Sequence, residues 1–140
     1  MGYTSGLFDL FHAGDLDLLR RARAECGHLT VGVISDELAA DTWGVHPYIP
    51  LRERMEILEH VRFVDRVVAL DTIDLAATWA ELRFHVLFPG MERNGSPSPE
   101  QARRELAGTG VRVVPLPGLR DTRSAPLRNA LARNIQWRVA

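Results

Sequence analysis

Short apolar runs alternate with amphipathic segments along this chain, regularly enough to predict its elements. Strand-like runs fall at Gly2–Thr4, Leu29–Ile34, Arg66–Leu70, Val86–Pro89 and Val111–Pro115. The second run is almost wholly apolar, the pattern of a strand covered on both sides rather than one with a wet face. Helix-like runs fall between and after them, at Leu16–Cys26, Leu51–Val61, Leu75–Leu82, Pro99–Ala107 and Leu127–Ile135. In the first, Leu16, Leu19, Ala22, Arg23 and Cys26 recur at helical spacing. Local punctuation agrees: Gly27 suits a stop after the first helix, Asp74 an N-cap, and Pro99 after Ser98 a first helical position. Ala40 to Tyr48 reads as a loop. So does Asn94-Gly95-Ser96-Pro97-Ser98-Pro99, either a plain surface connection or a lid over a site. Buried strands alternating with helices predict an α/β protein: an open parallel five-stranded sheet with helices on both faces.

Composition narrows the partners. A length of 140 residues fits a single domain spanning residues 1–140. The formal net charge of −1 argues against a nonspecific nucleic-acid binder. All 17 basic residues are arginine. The one cysteine, Cys26, excludes an internal disulfide framework and a cysteine-rich zinc site, and is read as a structural thiol. No apolar run is long enough for a membrane span, and the first residues do not resemble a secretory signal, so a cytoplasmic protein is expected.

The most informative stretch is Gly6-Leu7-Phe8-Asp9-Leu10-Phe11-His12-Ala13-Gly14-Asp15, between the first strand and the first helix. A loop from the C-terminal end of a parallel strand into a helix N-terminus is where open α/β sheets bind phosphates. The free amides and the positive dipole end of the helix favour an anion. Gly6 and Gly14 allow close backbone approach, and His12 supplies a donor.

This stretch resembles the G-x-F-D-L-x-H-x-G-H signature of the cytidylyltransferase-like nucleotidyltransferases, closest to the glycerol-3-phosphate cytidylyltransferase type. Three more segments resemble that family in order. Pro50-Leu51-Arg52-Glu53-Arg54-Met55-Glu56-Ile57-Leu58 is similar to its arginine-bearing helix. Val61-Arg62-Phe63-Val64-Asp65-Arg66-Val67 is similar to its R-Y-V-D-E-V segment. Arg120 to Arg128 is similar to its C-terminal R-x-x-x-I-S-T-T-x-I signature. Asp15 replaces the motif's second histidine, and the loop before the arginine helix, which carries lysine in the family, offers only His46 and Trp43. Gly90-Met91-Glu92-Arg93 stands where the family has G-D-D-W.

The resemblance implies a Rossmann-like nucleotidyltransferase fold and a transferase that binds CTP. The implied reaction is attack of a small phosphorylated alcohol or phosphonate on the α-phosphate of CTP, releasing pyrophosphate, with Mg²⁺ on the phosphates. His12, Asp15 and Arg120 are the implied catalytic residues. Gly6, Leu7, Phe8, Asp9, His12, Gly14, Gly90, Glu92, Arg120 and Ser124 would bind the nucleotide, and Arg54, Arg62 and His46 the acceptor. Three readings of Asp15 stand. It holds Mg²⁺; or it marks lost catalysis, since a carboxylate about 4 Å from a phosphate charge costs roughly 4 kcal/mol at an effective dielectric near 20; or it turns into the helix N-terminus as a cap-region acid. Asp9 is either a nucleotide contact or a cap, and Arg54 either a ligand contact or part of a solvated charged face. A nucleotide-binding homologue without catalysis, serving as sensor or subunit, and an ATP-using adenylyltransferase of the same fold are the alternatives. Ile57, Leu58, Val61, Phe63 and Val64 offer apolar surface for a homodimer in which Arg62 supports the site.

Overall fold

The computed structural model describes residues 1–90 and 95–116. The elements run β1 (Gly2–Gly6), α1 (Ala13–Ala24), β2 (Leu29–Ile34), α2 (Asp36–Trp43), α3 (Leu51–Glu59), β3 (Arg66–Leu70), α4 (Leu75–Leu82), β4 (Val86–Leu87), α5 (Pro99–Glu105) and β5 (Arg112–Val113). All strand pairings are parallel, in the order β3-β2-β1-β4-β5, with Gly2 opposite Leu29 on one side and Val86 on the other. The expected helix at Leu127–Ile135 lies outside the described residues.

Two apolar layers hold the sheet. Leu19 and Ala22 of α1 and Leu58 of α3 pack on Val31, Val33, Val86 and Phe88. On the opposite face Leu75 of α4, with Ala102 and Leu106 from α5 and its end, packs on Tyr3, Phe84 and Leu87. Tyr3 stacks on Phe84, ring centroids 4.6 Å apart. The helices therefore lie on both faces, as the alternation predicts.

α2 was not expected, yet its ends are marked. Ser35 caps it by accepting from the Leu38 N–H, Asp36 and Glu37 suit its first turn, and Gly44 ends it at φ 66°. α1 begins three residues before its first apolar position because His12, not a hydroxyl residue, is its N-cap. Cys26 is half-buried at the end of the first helix, its Sγ donating to the Ala22 carbonyl at 3.3 Å.

Gly32 is a packing requirement. A Cβ there would collide with the Tyr3 hydroxyl and lie 2.8 Å from Leu70 Cδ1. Tyr3 is fixed by its stacking and cannot retreat cheaply. Gly32→Ala should destabilise the fold by about 1–3 kcal/mol, the usual cost of overpacking; an unchanged thermal midpoint would contradict this packing.

Candidate active site at the switch point of the sheet

The strand order changes direction between β1 and β4, and open α/β sheets take ligands beyond the carboxyl ends of their strands at such a point. The β1–α1 loop leaves β1 there. Gly90 follows β4 on the other side: a Cβ on it would lie 3.5 Å from the Ser5 carbonyl and 3.3 Å from Leu18 Cδ2. Its N–H donates to Ser96 Oγ at 2.8 Å. Gly6 and Gly90 thus flank one crevice, and a side chain at Gly90 would fit only tightly.

The loop is strained and heavily braced. Phe8 (φ 53°) and Leu10 (φ 55°) both occupy the left-handed region, at a cost on the order of 1–3 kcal/mol each that neighbouring contacts must offset. Phe8 is anchored in the α1/α3 core and Leu7 against Ile34 and Ala39. Asp9, 2% exposed, accepts from the Tyr48 and Ile49 amides at 2.9 Å each. It ties the β1–α1 loop to the segment before α3.

Arg54 completes the brace. Its side chain is buried beneath the loops, not on a solvated face. Nε donates to the Ile49 carbonyl (2.8 Å), one terminal nitrogen donates to the Leu7 (2.7 Å) and Ile34 (2.8 Å) carbonyls, and the other pairs with Asp36. One guanidinium thereby joins the ends of β1 and β2, the start of α2 and the approach to α3. Its donors face backbone and Asp36, so this geometry supports a positioning role over direct contact with a substrate.

His12 and Asp15 cap α1 reciprocally. His12 Nδ1 accepts from the Gly14 N–H at 3.0 Å, which places its ring proton on Nε2. Asp15 Oδ2 accepts from the His12 backbone N–H at 3.3 Å and also lies 3.3 Å from His12 Nε2. Asp15 is 3% exposed. Burial pushes its carboxyl up to about 7, while the His12 amide pulls the other way. The third reading of Asp15, a cap-region acid, is the one this geometry matches.

Other expected site residues fall apart from this group. His46 is exposed on the segment braced by Asp9. Arg62 is exposed before β3, at the end of the sheet where strands begin, whereas the motif loop lies where they end. Arg62 therefore cannot join the crevice of its own chain. Glu92, Arg120 and Ser124 lie outside the described residues. Of the side chains expected at a homodimer surface, Leu58 is buried, Val61, Phe63 and Val64 pack on the same core while partly exposed, and Ile57 is 45% exposed.

Beside the crevice lies a cavity of about 360 Å³ between α2, α4 and α5, reached from Ser5 and Ser96. The segment 95–98 forms one of its walls, so this part of the expected loop is more than a surface connection. The sequence pattern does not reveal the cavity, because Leu38, Thr42 and Trp43 of its lining come from the unexpected α2.

A parallel five-stranded sheet with a phosphate-type loop at its switch point defines an α/β protein of the nucleotidyltransferase fold. Residues 3–107 match the family described as cytidylyltransferase-like, and the chain belongs to that family. It is 43% identical over 67 residues to an ethanolamine-phosphate cytidylyltransferase of Arabidopsis thaliana, covering 48% of this chain and 16% of the relative. It is 36% identical over 123 residues to the bifunctional protein HldE of Halorhodospira halophila, covering 81% of this chain and 24% of the relative. The chain thus spans a quarter or less of the length of these relatives. Among solved structures, the lipopolysaccharide core biosynthesis protein of Thermoplasma volcanium superposes with a TM-score of 0.69 at 20% identity, covering 86% of this chain and 97% of that one. Pantothenate synthetase of Thermus thermophilus superposes with a TM-score of 0.56 at 19% identity, covering 86% and 56%. At these identities both support the fold alone. Among the described residues no helix is long and apolar enough to cross a membrane.

Proposed function

We propose that this chain is a nucleotidyltransferase that moves CMP from CTP to a small phosphorylated or phosphonate acceptor. Family membership supports the class. The observation that carries the site is the close approach of Gly90 to the end of β1 and to Leu18 of α1 across the β1–β4 switch point, beside the capped start of α1. An acceptor phosphate oxygen attacks the α-phosphorus. The α–β phosphoanhydride P–O bond breaks, and pyrophosphate leaves with the electron pair. No covalent enzyme intermediate is required. The protein's task is to align two anions and stabilise charge on the α-phosphate and leaving group.

His12 sits at the start of α1, where the helix amides and dipole favour the phosphates. Arg54 and Asp9 hold the loop that carries it. Arg120 and Ser124 are proposed to close the triphosphate side, and Glu92 to help seat the nucleotide. His46 is proposed to contact the acceptor from the exposed segment before α3, and Arg62 would serve across a two-fold homodimer interface, since its own crevice is out of reach. Among the described residues no group of three or more His, Cys, Asp or Glu side chains forms a metal cage. Mg²⁺ is commonly held by one or two carboxylates plus substrate phosphates; Asp15 is buried and accepts from the His12 N–H, so the proposed ion would ride mainly on the nucleotide's own phosphates. When bound, it neutralises phosphate charge. A cytoplasmic location is proposed with this function.

Asp15 in place of the motif's second histidine favours a second reading, a chain that binds nucleotide without transferring it. Pyrophosphate release decides between them, measured with CTP, ATP, UTP and GTP against a panel of phosphorylated alcohols and phosphonates. CTP-dependent release, reduced about 10²–10³-fold in His12→Ala as expected for a lost charge-stabilising donor, supports the proposal. ATP-dependent release would make the chain an adenylyltransferase. CTP binding without release from any acceptor would establish the second reading.

A further inference from the structure

We infer that the cavity between α2, α4 and α5 holds the part of the acceptor remote from its phosphate, and that this part is uncharged and hydroxylated. The acceptor is then a polyol or sugar phosphate rather than an amino-alcohol phosphate. The inference rests on the nucleotidyltransferase reading and names the substrate class of that site.

Position comes first. Ser5 at the end of β1 and Ser96 both line the cavity, and Ser96 Oγ receives the Gly90 N–H. The cavity therefore shares a wall with the crevice where the phosphates are placed. A molecule with a phosphate in the crevice and a small body in the cavity bridges the two. A volume of about 360 Å³ falls at the small end of ligand pockets, which span roughly 300–1,000 Å³.

The lining then selects the body. None of the described lining residues is Lys, Arg, His, Asp or Glu. The polar groups are neutral hydroxyls and one amide, with Thr42, Thr72, Ser96, Ser98 and Gln101 distributed around the walls. Thr72, Ser96 and Ser98 each accept a backbone N–H, from Asp74, Gly90 and Gln101 respectively. A hydroxyl that accepts in this way keeps its O–H proton to donate. Such a wall suits hydroxyl groups, which both donate and accept.

An apolar face is also present. Trp43 (45%) and Ile73 (58%) are two of four large apolar side chains left exposed among the described residues, and both line this cavity. Gly95 seats the opposite wall on the indole: its Cβ would fall 3.1 Å from Trp43 Cη2. The C–H face of a polyol or sugar can pack on that surface.

An ammonium group finds nothing equivalent. Buried cations need a carboxylate partner or an aromatic cage. No carboxylate is among the described lining residues, and the Tyr3 ring is already stacked on Phe84, which leaves one aromatic face.

Titration calorimetry on the full chain tests this without requiring turnover. Glycerol 3-phosphate and ribose 5-phosphate are compared with phosphoethanolamine and phosphocholine. At least one hydroxylated probe should bind ten-fold or more tightly than either amino-alcohol probe. Thr42→Glu, which brings a carboxylate to the wall from an exposed helix position, should shrink that preference at least five-fold. Equal or tighter binding of phosphoethanolamine overturns the inference, as does failure of every probe to bind, or a preference that Thr42→Glu leaves untouched. Pyrophosphate release, measured separately, tests transfer: a hydroxylated-probe preference with no release for any nucleotide counts against the proposed activity and not against the cavity's selectivity.

Discussion

Arg54→Ala should destabilise this protein by about 3–5 kcal/mol, the range for removing one partner of a buried charged network. The loss follows from the connections of one side chain. Without the guanidinium, the carbonyls of Leu7, Ile34 and Ile49 lose their donors together. Each buried acceptor left unpaired costs on the order of 1–3 kcal/mol. The left-handed Phe8 and Leu10 also lose the brace that keeps them in place. For a domain of this size the thermal midpoint should fall by roughly 10–20 °C. Arg54→Lys should recover only part, because an ammonium lacks the planar fork that reaches three carbonyls and Asp36 at once. A variant with an unchanged midpoint but a raised KM for acceptor would contradict this account and restore Arg54 as a ligand contact.

Asp15→Asn should stabilise the fold at pH 8 and have little effect near pH 4. An unfolded aspartate titrates near 3.9, while burial raises the folded value to about 7. Between those values the folded protein holds a proton that the unfolded chain releases. Stability therefore falls as pH rises from about 4 to about 7, and the loss is complete above that. At ~1.4 kcal/mol per pH unit the full loss is on the order of 4 kcal/mol. Asparagine keeps an oxygen to accept from the His12 N–H but cannot ionise, so its stability should be flat over the same window. Equal midpoint shifts at pH 4 and pH 8 would contradict this. The same titration should weaken nucleotide binding in the wild-type chain as pH rises through 7, because an ionised Asp15 would stand at the helix end proposed to receive the phosphates.

Much of this architecture was legible from residue pattern. The five strands and the helices at 51, 75 and 99 were expected within a few residues at each end, because apolar period and cap residues point the same way there. α2 escaped notice because its eight residues mix alanine, acids and threonine with only a weak apolar stripe. Its caps, Ser35 and Gly44, were the available signal. α1 begins earlier than its leucine spacing indicates because its N-cap is a histidine, not an ordinary capping residue, although His12-x-x-Asp15 has the spacing of a capping box.

The site was legible as a list and not as a set of roles. The motif picked out the β1–α1 loop at the switch point, while Asp9 and Arg54 brace backbone there. A sequence shows residue types in order, whereas these roles depend on amides and carbonyls as far as 47 positions away. Arg62 was grouped with the site by resemblance, and the start of β3 places it at the other end of the sheet. Of the apolar side chains expected at a dimer surface, Leu58 fills the chain's own core, while Val61, Phe63 and Val64 pack against that core and stay partly exposed.

The most direct test of the central claim is a crystal structure of the chain with a non-hydrolysable CTP analogue. The account predicts the triphosphate beyond the C-terminal ends of β1 and β4, against the α1 N-terminus, with His12 and Gly90 on either side. A nucleotide bound at any other strand edge, or phosphates seated away from α1, would contradict it.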